Sequence, residues 1–337
     1  MLYRAILTAI LCLILSAAGL AQSLCSRLDV PVNVIRASGE PVQGLKASDF
    51  SGQMKKQAVL IQSVSHEASP RRILFVIDTT RQLSADARRA EATFVSGVVK
   101  AAQPGDNLAL LTARGITQQV KFGEERPAIT KALAVLEQGA EESVNEGKNL
   151  GVMDAVAEGI NWFGEPRLGD TVVLLAKDLE GNHKTDYRNV AKMLEGHHVR
   201  LFGVAFGHLL LNNPTSASMA VSRDGFGYVQ PGIPLHTNET GEANFFPLSV
   251  NSGGYIVRED PGLAQKQFKL DDLKRKQLEK TGALMAQLID ESYNLRVESS
   301  TLSNGGPFMV SVKEGQQGTH VLYPHEISCG VLQQSPK

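Results

Sequence analysis

The sequence predicts an α/β protein: a doubly wound, mostly parallel sheet inserted in, or flanked by, a small antiparallel β-sandwich built from the N- and C-terminal strands. Three observations predict it. Between about residues 70 and 292, long apolar strand segments alternate with amphipathic helical ones. Short segments of alternating polarity precede and follow that block, and Gly- and Pro-punctuated turns separate them. With 337 residues, 42% of them hydrophobic, the chain can bury a sizeable core.

The chain opens with "MLYRAILTAILCLILSAAGLAQS", one cation at Arg4, an apolar run, then small residues at Gly19 and Ala21. This reads as a Sec-type signal peptide over residues 1–21, which makes the mature protein secreted or periplasmic. The apolar run falls short of the ~20 residues that span a bilayer, so no membrane span is expected after cleavage. Cleavage removes Cys12 and leaves Cys25 and Cys329, one near each end. In an oxidising compartment two cysteines suggest one bridge, with two separate thiols as the alternative.

Residues 22–68 form the first half of the expected sandwich, with Val- and Ile-rich segments split by the turn "SGEPVQG". Residues 69–292 are the α/β block. Its strands are "ILFVID", "NLALLTA", "QQVKFG", "TVVLLAKD" and "VRLFGVAFG", apolar almost throughout, as strands covered on both faces should be. Helices are expected around Ser84 to Ala102, Pro127 to Glu137, Gly151 to Phe163 and Tyr187 to His197. An irregular insertion, 208–252, is rich in Gly, Pro, Asn and Ser, a texture more often functional than filler. The strand "GGYIV" and a long helix with a charged, solvated face close the block. Residues 293–337 alternate again and supply the other half of the sandwich.

In this order the segments resemble the von Willebrand factor type A family, and specifically the secreted VWFA-related proteins of Acidobacteria. The resemblance is carried by Gly39, Pro41, Val42, Gly44, Leu45, Asp49 and Phe50, by "ILFVID" running into an acidic loop, by "VMDA" at Val152 to Ala155, by "SGGYIV" and by Tyr293. It implies a Rossmann-like sheet whose strand ends form a metal-ion-dependent adhesion site, with protein binding as the usual role. Such a site holds a divalent cation on oxygens from three loops: Asp-x-Ser-x-Ser, a Thr and an Asp, a donor set suited to Mg²⁺.

Residue by residue the match degrades. The first loop offers Asp78 and Thr80, but Gln82 replaces the second Ser. In the second, Leu150 stands where the Thr should be, and Asn149 substitutes only through a one-residue shift. In the third, Lys177 takes the Asp position, where an ammonium repels a cation, and Asp178 lies one residue on. The expectation is a degenerate site without bound metal or other cofactor, in which Lys177 and Arg81 supply a tethered cation to Asp78. Were Mg²⁺ or Ca²⁺ held, Asp78, Thr80 and Asp178 would be its ligands. The blander alternative has Asp78 and Thr80 capping the following turn.

Other chemistry finds less support. His183, His197 and His198 do not have metal-ligand spacing, and no H-E-x-x-H, G-x-S-x-G or P-loop sequence is present. Lys and Arg number 34 against 35 for Asp and Glu, and the 6% of aromatics are not interleaved with basic residues, so nucleic acid is not an expected partner. The sequence therefore points to a non-enzymatic protein that binds another protein through its sheet-edge loops. The rivals are a metal-dependent ligand-binding protein or hydrolase using Asp78 and Asp178, and a purely structural envelope protein.

Overall fold

The computed structural model describes residues 27–36, 39–66, 70–79, 84–138, 150–176, 184–206, 220–221, 227–228, 242–259, 268–298, 305–313 and 319–327. The segment after the predicted leader begins with β1 (Arg27–Arg36), then β2 (Phe50–Met54) and β3 (Gln57–His66). The chain then enters the α/β block with β4 (Arg72–Asp78), α1 (Ala85–Ala101), β5 (Asn107–Ala113), β6 (Gln119–Val120) and α2 (Arg126–Gln138). There follow α3 (Val152–Asn161), β7 (Thr171–Ala176), α4 (Tyr187–Gly196) and β8 (Arg200–Phe206). A short antiparallel pair, β9 (Ala220–Val221) and β10 (Gly227–Tyr228), leads to α5 (Glu242–Asn251), β11 (Ile256–Glu259) and α6 (Asp272–Asp290). Strands β12 (Tyr293–Glu298), β13 (Gly306–Val312), β14 (Thr319–Leu322) and β15 (Glu326–Ile327) end the described chain.

The block forms a six-stranded sheet in the order β11-β8-β7-β4-β5-β6, parallel except for β6, which is antiparallel to β5. Its central strand shows why continuous apolar runs were required. Ile73, Phe75 and Ile77 of β4 enter one core with Phe94, Val95, Leu133 and Met285 from α1, α2 and α6. Leu74 and Val76 enter the other with Val156, Ile160, Val190 and Leu248 from α3, α4 and α5. Successive side chains point to opposite faces, and both faces carry helices. The helices start where local chemistry allows: Ser84 and Asp271 accept from backbone N–H groups three residues on, and Asp186 from one two residues on.

The chain passes from β4 through α1 to β5 on one side, then crosses back to β7 on the other side of β4. The carboxyl end of β4 is therefore the switch point of the sheet, where open α/β folds leave a crevice. That end is Asp78.

The N- and C-terminal strands do pair, as expected, but into one seven-stranded antiparallel sheet, β14-β1-β12-β3-β2-β13-β15, rather than two separate ones. That sheet is curled. Seven flat strands would put the outermost pair about 29 Å apart, yet only Tyr323, Pro324 and His325 separate β14 from β15, a reach of about 14 Å. Curling lets Val30, Val32, Phe50, Met54, Tyr293, Leu295, Val310 and Ile327 share one core. The Tyr293 hydroxyl donates to the Val42 carbonyl at 2.7 Å and accepts from Leu45 N–H at 3.2 Å, so the Gly- and Pro-punctuated turn and the closing strands hold each other.

One expectation needs correction. The 208–252 segment is not irregular throughout, because 242–251 is helical despite Pro247. Tertiary contacts outweigh the local penalty: Leu248 is buried in the second core and Ser249 Oγ donates to the Leu201 carbonyl at 2.7 Å. The two units meet at a tight seam. Arg200, buried at the start of β8, donates to Asn33 Oδ1 of β1 at 2.6 Å and to the Gly253 carbonyl, and Asn33 donates to the Leu288 carbonyl at 2.7 Å.

Candidate functional site

Asp78 ends β4 with its side chain at 0% exposure. Burying a lone carboxylate is prohibitive, so it must be paired. The cation the structure places on it is Arg114: Nε donates to Asp78 Oδ1 at 2.9 Å and Nη2 to Oδ2, a two-pronged pair. The parallel register of β4 and β5 sets Asp78 beside Ala113, the last residue of β5, and Arg114 follows directly. The sequence reading had put Lys177 and Arg81 in this role; both lie outside the described residues. The turn that the alternative has Asp78 and Thr80 capping runs through residues 80–83, outside the described ones; the helix beyond it, α1, is capped by Ser84.

Arg114 is held in position by its backbone. Its φ is +45°, a left-handed conformation costly for a residue with a Cβ. Three features keep it there. The Arg114 N–H donates to the Leu150 carbonyl at 3.2 Å. Thr79 N–H donates to the Ala113 carbonyl at 2.8 Å, and its hydroxyl lies 2.6 Å from the Arg114 carbonyl, 3.1 Å from that of Ala113 and 3.1 Å from that of Ile116. Gly115, at φ +99°, packs so close that a Cβ there would stand 2.1 Å from the Thr79 carbonyl oxygen. Only glycine fits.

A second carboxyl lies behind the pair. Glu91, on α1, is 1% exposed, and neither of its oxygens has a hydrogen-bond partner among the described residues. Burial, then the charge of Asp78, hold it well toward the protonated form, against the weaker opposing pull of Arg88 and Arg114. Asp78, Arg114, Glu91 and the largely buried Arg88 thus form one electrostatic group under the carboxyl edge of the sheet.

Of the residues singled out from sequence, Asp78 and Leu150 are placed by the structure. Thr80, Gln82, Asn149, Lys177 and Asp178 lie outside the described residues, as do His183 and the cysteines Cys25 and Cys329. Leu150 precedes α3, packs half-buried against the second core, and meets Arg114 through its carbonyl. Asp154 in "VMDA", not singled out before, accepts from Lys184 N–H at 3.1 Å and Thr185 N–H at 2.8 Å, tying the segment before α4 to the first turn of α3. His197 and His198 terminate α4, and among the described residues no cluster of His, Cys, Asp or Glu is arranged to hold a metal.

Among the described residues, two features depart from the divalent-cation site that the resemblance implies. Both Asp78 oxygens are engaged by a guanidinium whose charge occupies the cation's place, and the position of the second-loop hydroxyl is a leucine. Thr79, Arg114 and Glu91 escaped sequence reasoning, although the signal for Arg114 was present: "TARG" follows the strand parallel to "FVID", and a cation before a glycine at that strand end belongs at the switch point.

No family model matches the chain, and the search of curated proteins gives no match. Solved structures similar to it include an aerotolerance-related membrane protein from Bacteroides fragilis, 14% identical, covering 63% of this chain and 98% of that one, with a TM-score of 0.38. Proximal thread matrix protein 1 from the mussel byssus, with a zinc-occupied MIDAS motif, is 12% identical over 70% of this chain and 50% of its own, with a TM-score of 0.42. A von Willebrand factor type A protein from Catenulispora acidiphila is 12% identical over 90% of this chain and 74% of its own, with a TM-score of 0.40. These likenesses are distant, and nothing about the site is taken from them. The mostly parallel sheet with helices on both faces and an aspartate at a strand end agrees with the Rossmann-like sheet that the sequence resemblance implied: a von Willebrand factor type A-like fold.

Proposed function

We propose that this is an exported, non-enzymatic protein that binds another protein through the loops at the carboxyl edge of its parallel sheet, without a metal ion. The observation that carries the reading is the buried Asp78–Arg114 pair at the switch point. A metal-dependent adhesion site bridges its partner through a cation. Here the charge of the first-loop aspartate is met internally, so the edge is pre-organised and recognition falls to the loops around it. The leader predicted over residues 1–21 supports export, and the lack of a nucleophile motif supports a binding role. Among the described residues no helix is long and apolar enough to cross a membrane.

Two measurements test this. Millimolar Mg²⁺, Mn²⁺ or Ca²⁺ should leave the melting temperature unchanged, and a saturable rise would contradict the metal-free reading. Crosslinking and co-purification from the native envelope should capture a partner with the wild type and lose it with Asn149→Ala plus Lys177→Ala, loop positions that leave the buried pair intact. Identical captures would mean the edge does not bind.

A further inference from the structure

At the opposite end of the parallel sheet, where β8 begins, the two units enclose a cavity of about 650 Å³. That volume lies within the range of small-molecule sites, and junctions between units are where such sites concentrate. Its accessible apolar lining is Ala191 of α4, Pro307 of β13 and Pro324, laid over the buried Leu194, Val199, Leu248 and Pro31. The seam beside it is rigid. His325 N–H donates to the Asn251 carbonyl at 2.9 Å, Arg200 bridges β1 and Gly253, and a Cβ at Gly253 would stand 2.5 Å from Pro324 N. The cavity is therefore preformed.

Its charges are not evenly disposed. Glu195 lines it from α4 and Glu326 from β15, and Glu326 adds to burial in pushing the Glu195 carboxyl toward its protonated form. Arg188 and Lys192 also line it, but neither forms an ion pair with these carboxylates among the described residues and neither offsets that push. His198 and His325 line it too, with Asn251 and Ser252; burial lowers both imidazoles, His325 to about 4, so both are neutral near pH 7 and add no positive charge. Two carboxylates that repel each other above an apolar wall are relieved by a cation with an apolar body.

We infer that this cavity binds an organic amine, an ammonium group on an aromatic or alkyl body, with Glu195 and Glu326 receiving the ammonium and Ala191, Pro307 and Pro324 the apolar part. The site is separate from the sheet edge, and its failure would leave the proposed function standing.

Calorimetric titration of the full chain with tryptamine and with indole-3-propionate, which share the bicycle and differ in charge, tests it. Tryptamine should bind saturably and at least tenfold more tightly than the propionate. The double variant Glu195→Gln, Glu326→Gln should lose tenfold or more of the tryptamine affinity while keeping the wild-type melting temperature, since Glu326 is exposed and Glu195 half-buried. No binding, equal binding of both probes, preference for the propionate, or unchanged affinity in the double variant would each overturn the inference. If the double variant melts early, Lys192→Gln serves instead: tryptamine should bind it no more weakly than the wild type, and a tenfold loss would overturn the inference.

Discussion

Replacing Arg114 with methionine tests the central claim about the sheet edge. The substitution keeps most of the side-chain volume but removes the two-pronged pair that Arg114 makes with the Asp78 carboxylate, which is at 0% exposure. Removing one partner of a buried ion pair costs about 3–5 kcal/mol, because the surviving charge is stranded in a low-dielectric site. The Arg114 side chain keeps 21% exposure, which places the expectation at the lower end, about 3 kcal/mol. Adding Asp78→Asn removes the stranded charge, so the double variant should be roughly 2 kcal/mol more stable than the two single losses summed. Backbone strain adds a second signature: Arg114→Gly relaxes the φ of +45° and should be about 1 kcal/mol less destabilising than Arg114→Ala. Urea unfolding followed through the single tryptophan, Trp162 beside α3, measures all of these. A loss below about 1 kcal/mol in Arg114→Met, the range of an exposed pair, together with strict additivity, would refute the buried-pair reasoning.

Further outcomes follow from the same geometry. Gly115→Ala meets both the Thr79 carbonyl and a φ of +99°, so it should lower the urea midpoint more than Gly123→Ala, where φ is +92° but no atom lies within 4 Å. Glu91 is held well above its ordinary 4.5, so it binds a proton that the unfolded chain has lost, and wild-type stability falls as pH rises through the folded value. Glu91→Gln should therefore gain on the wild type as pH rises above the ordinary carboxylate range, and a pH-independent difference would argue against a protonated Glu91. His325 has the opposite sign: its folded value of about 4 lies below 6.5, so stability is lost as pH falls through that window. Asp290, raised to about 6, pulls the other way over part of it, so the difference between wild type and His325→Asn is the quantity to follow. That difference should shift in favour of the variant on acidification from pH 7 to 4.

The parallel sheet was legible because its requirements are local. Strands covered on both faces must be apolar throughout, so "ILFVID", "NLALLTA" and "TVVLLA" announced themselves, and the helices between them followed from period and caps. Helix α5 was not legible, because its Pro and Asn content argues for loop and only the burial of Leu248 and Ser249 overrides it. The curled sheet lay between these cases. Its strands alternate visibly, but that they join in one sheet is decided by pairings such as Arg27 with Glu298 across the length of the chain.

By itself, then, the sequence determined the α/β class, the candidate leader, and an aspartate at a strand end in a loop that departs from a metal-binding pattern. It also required a cation for that aspartate once buried. Which cation was a tertiary decision. Arg114 lies 36 residues from Asp78 and reaches it through the β4–β5 register, the hydroxyl of Thr79 and a glycine without room for a Cβ. Those constraints belong to three segments at once, and no single stretch of sequence carries them.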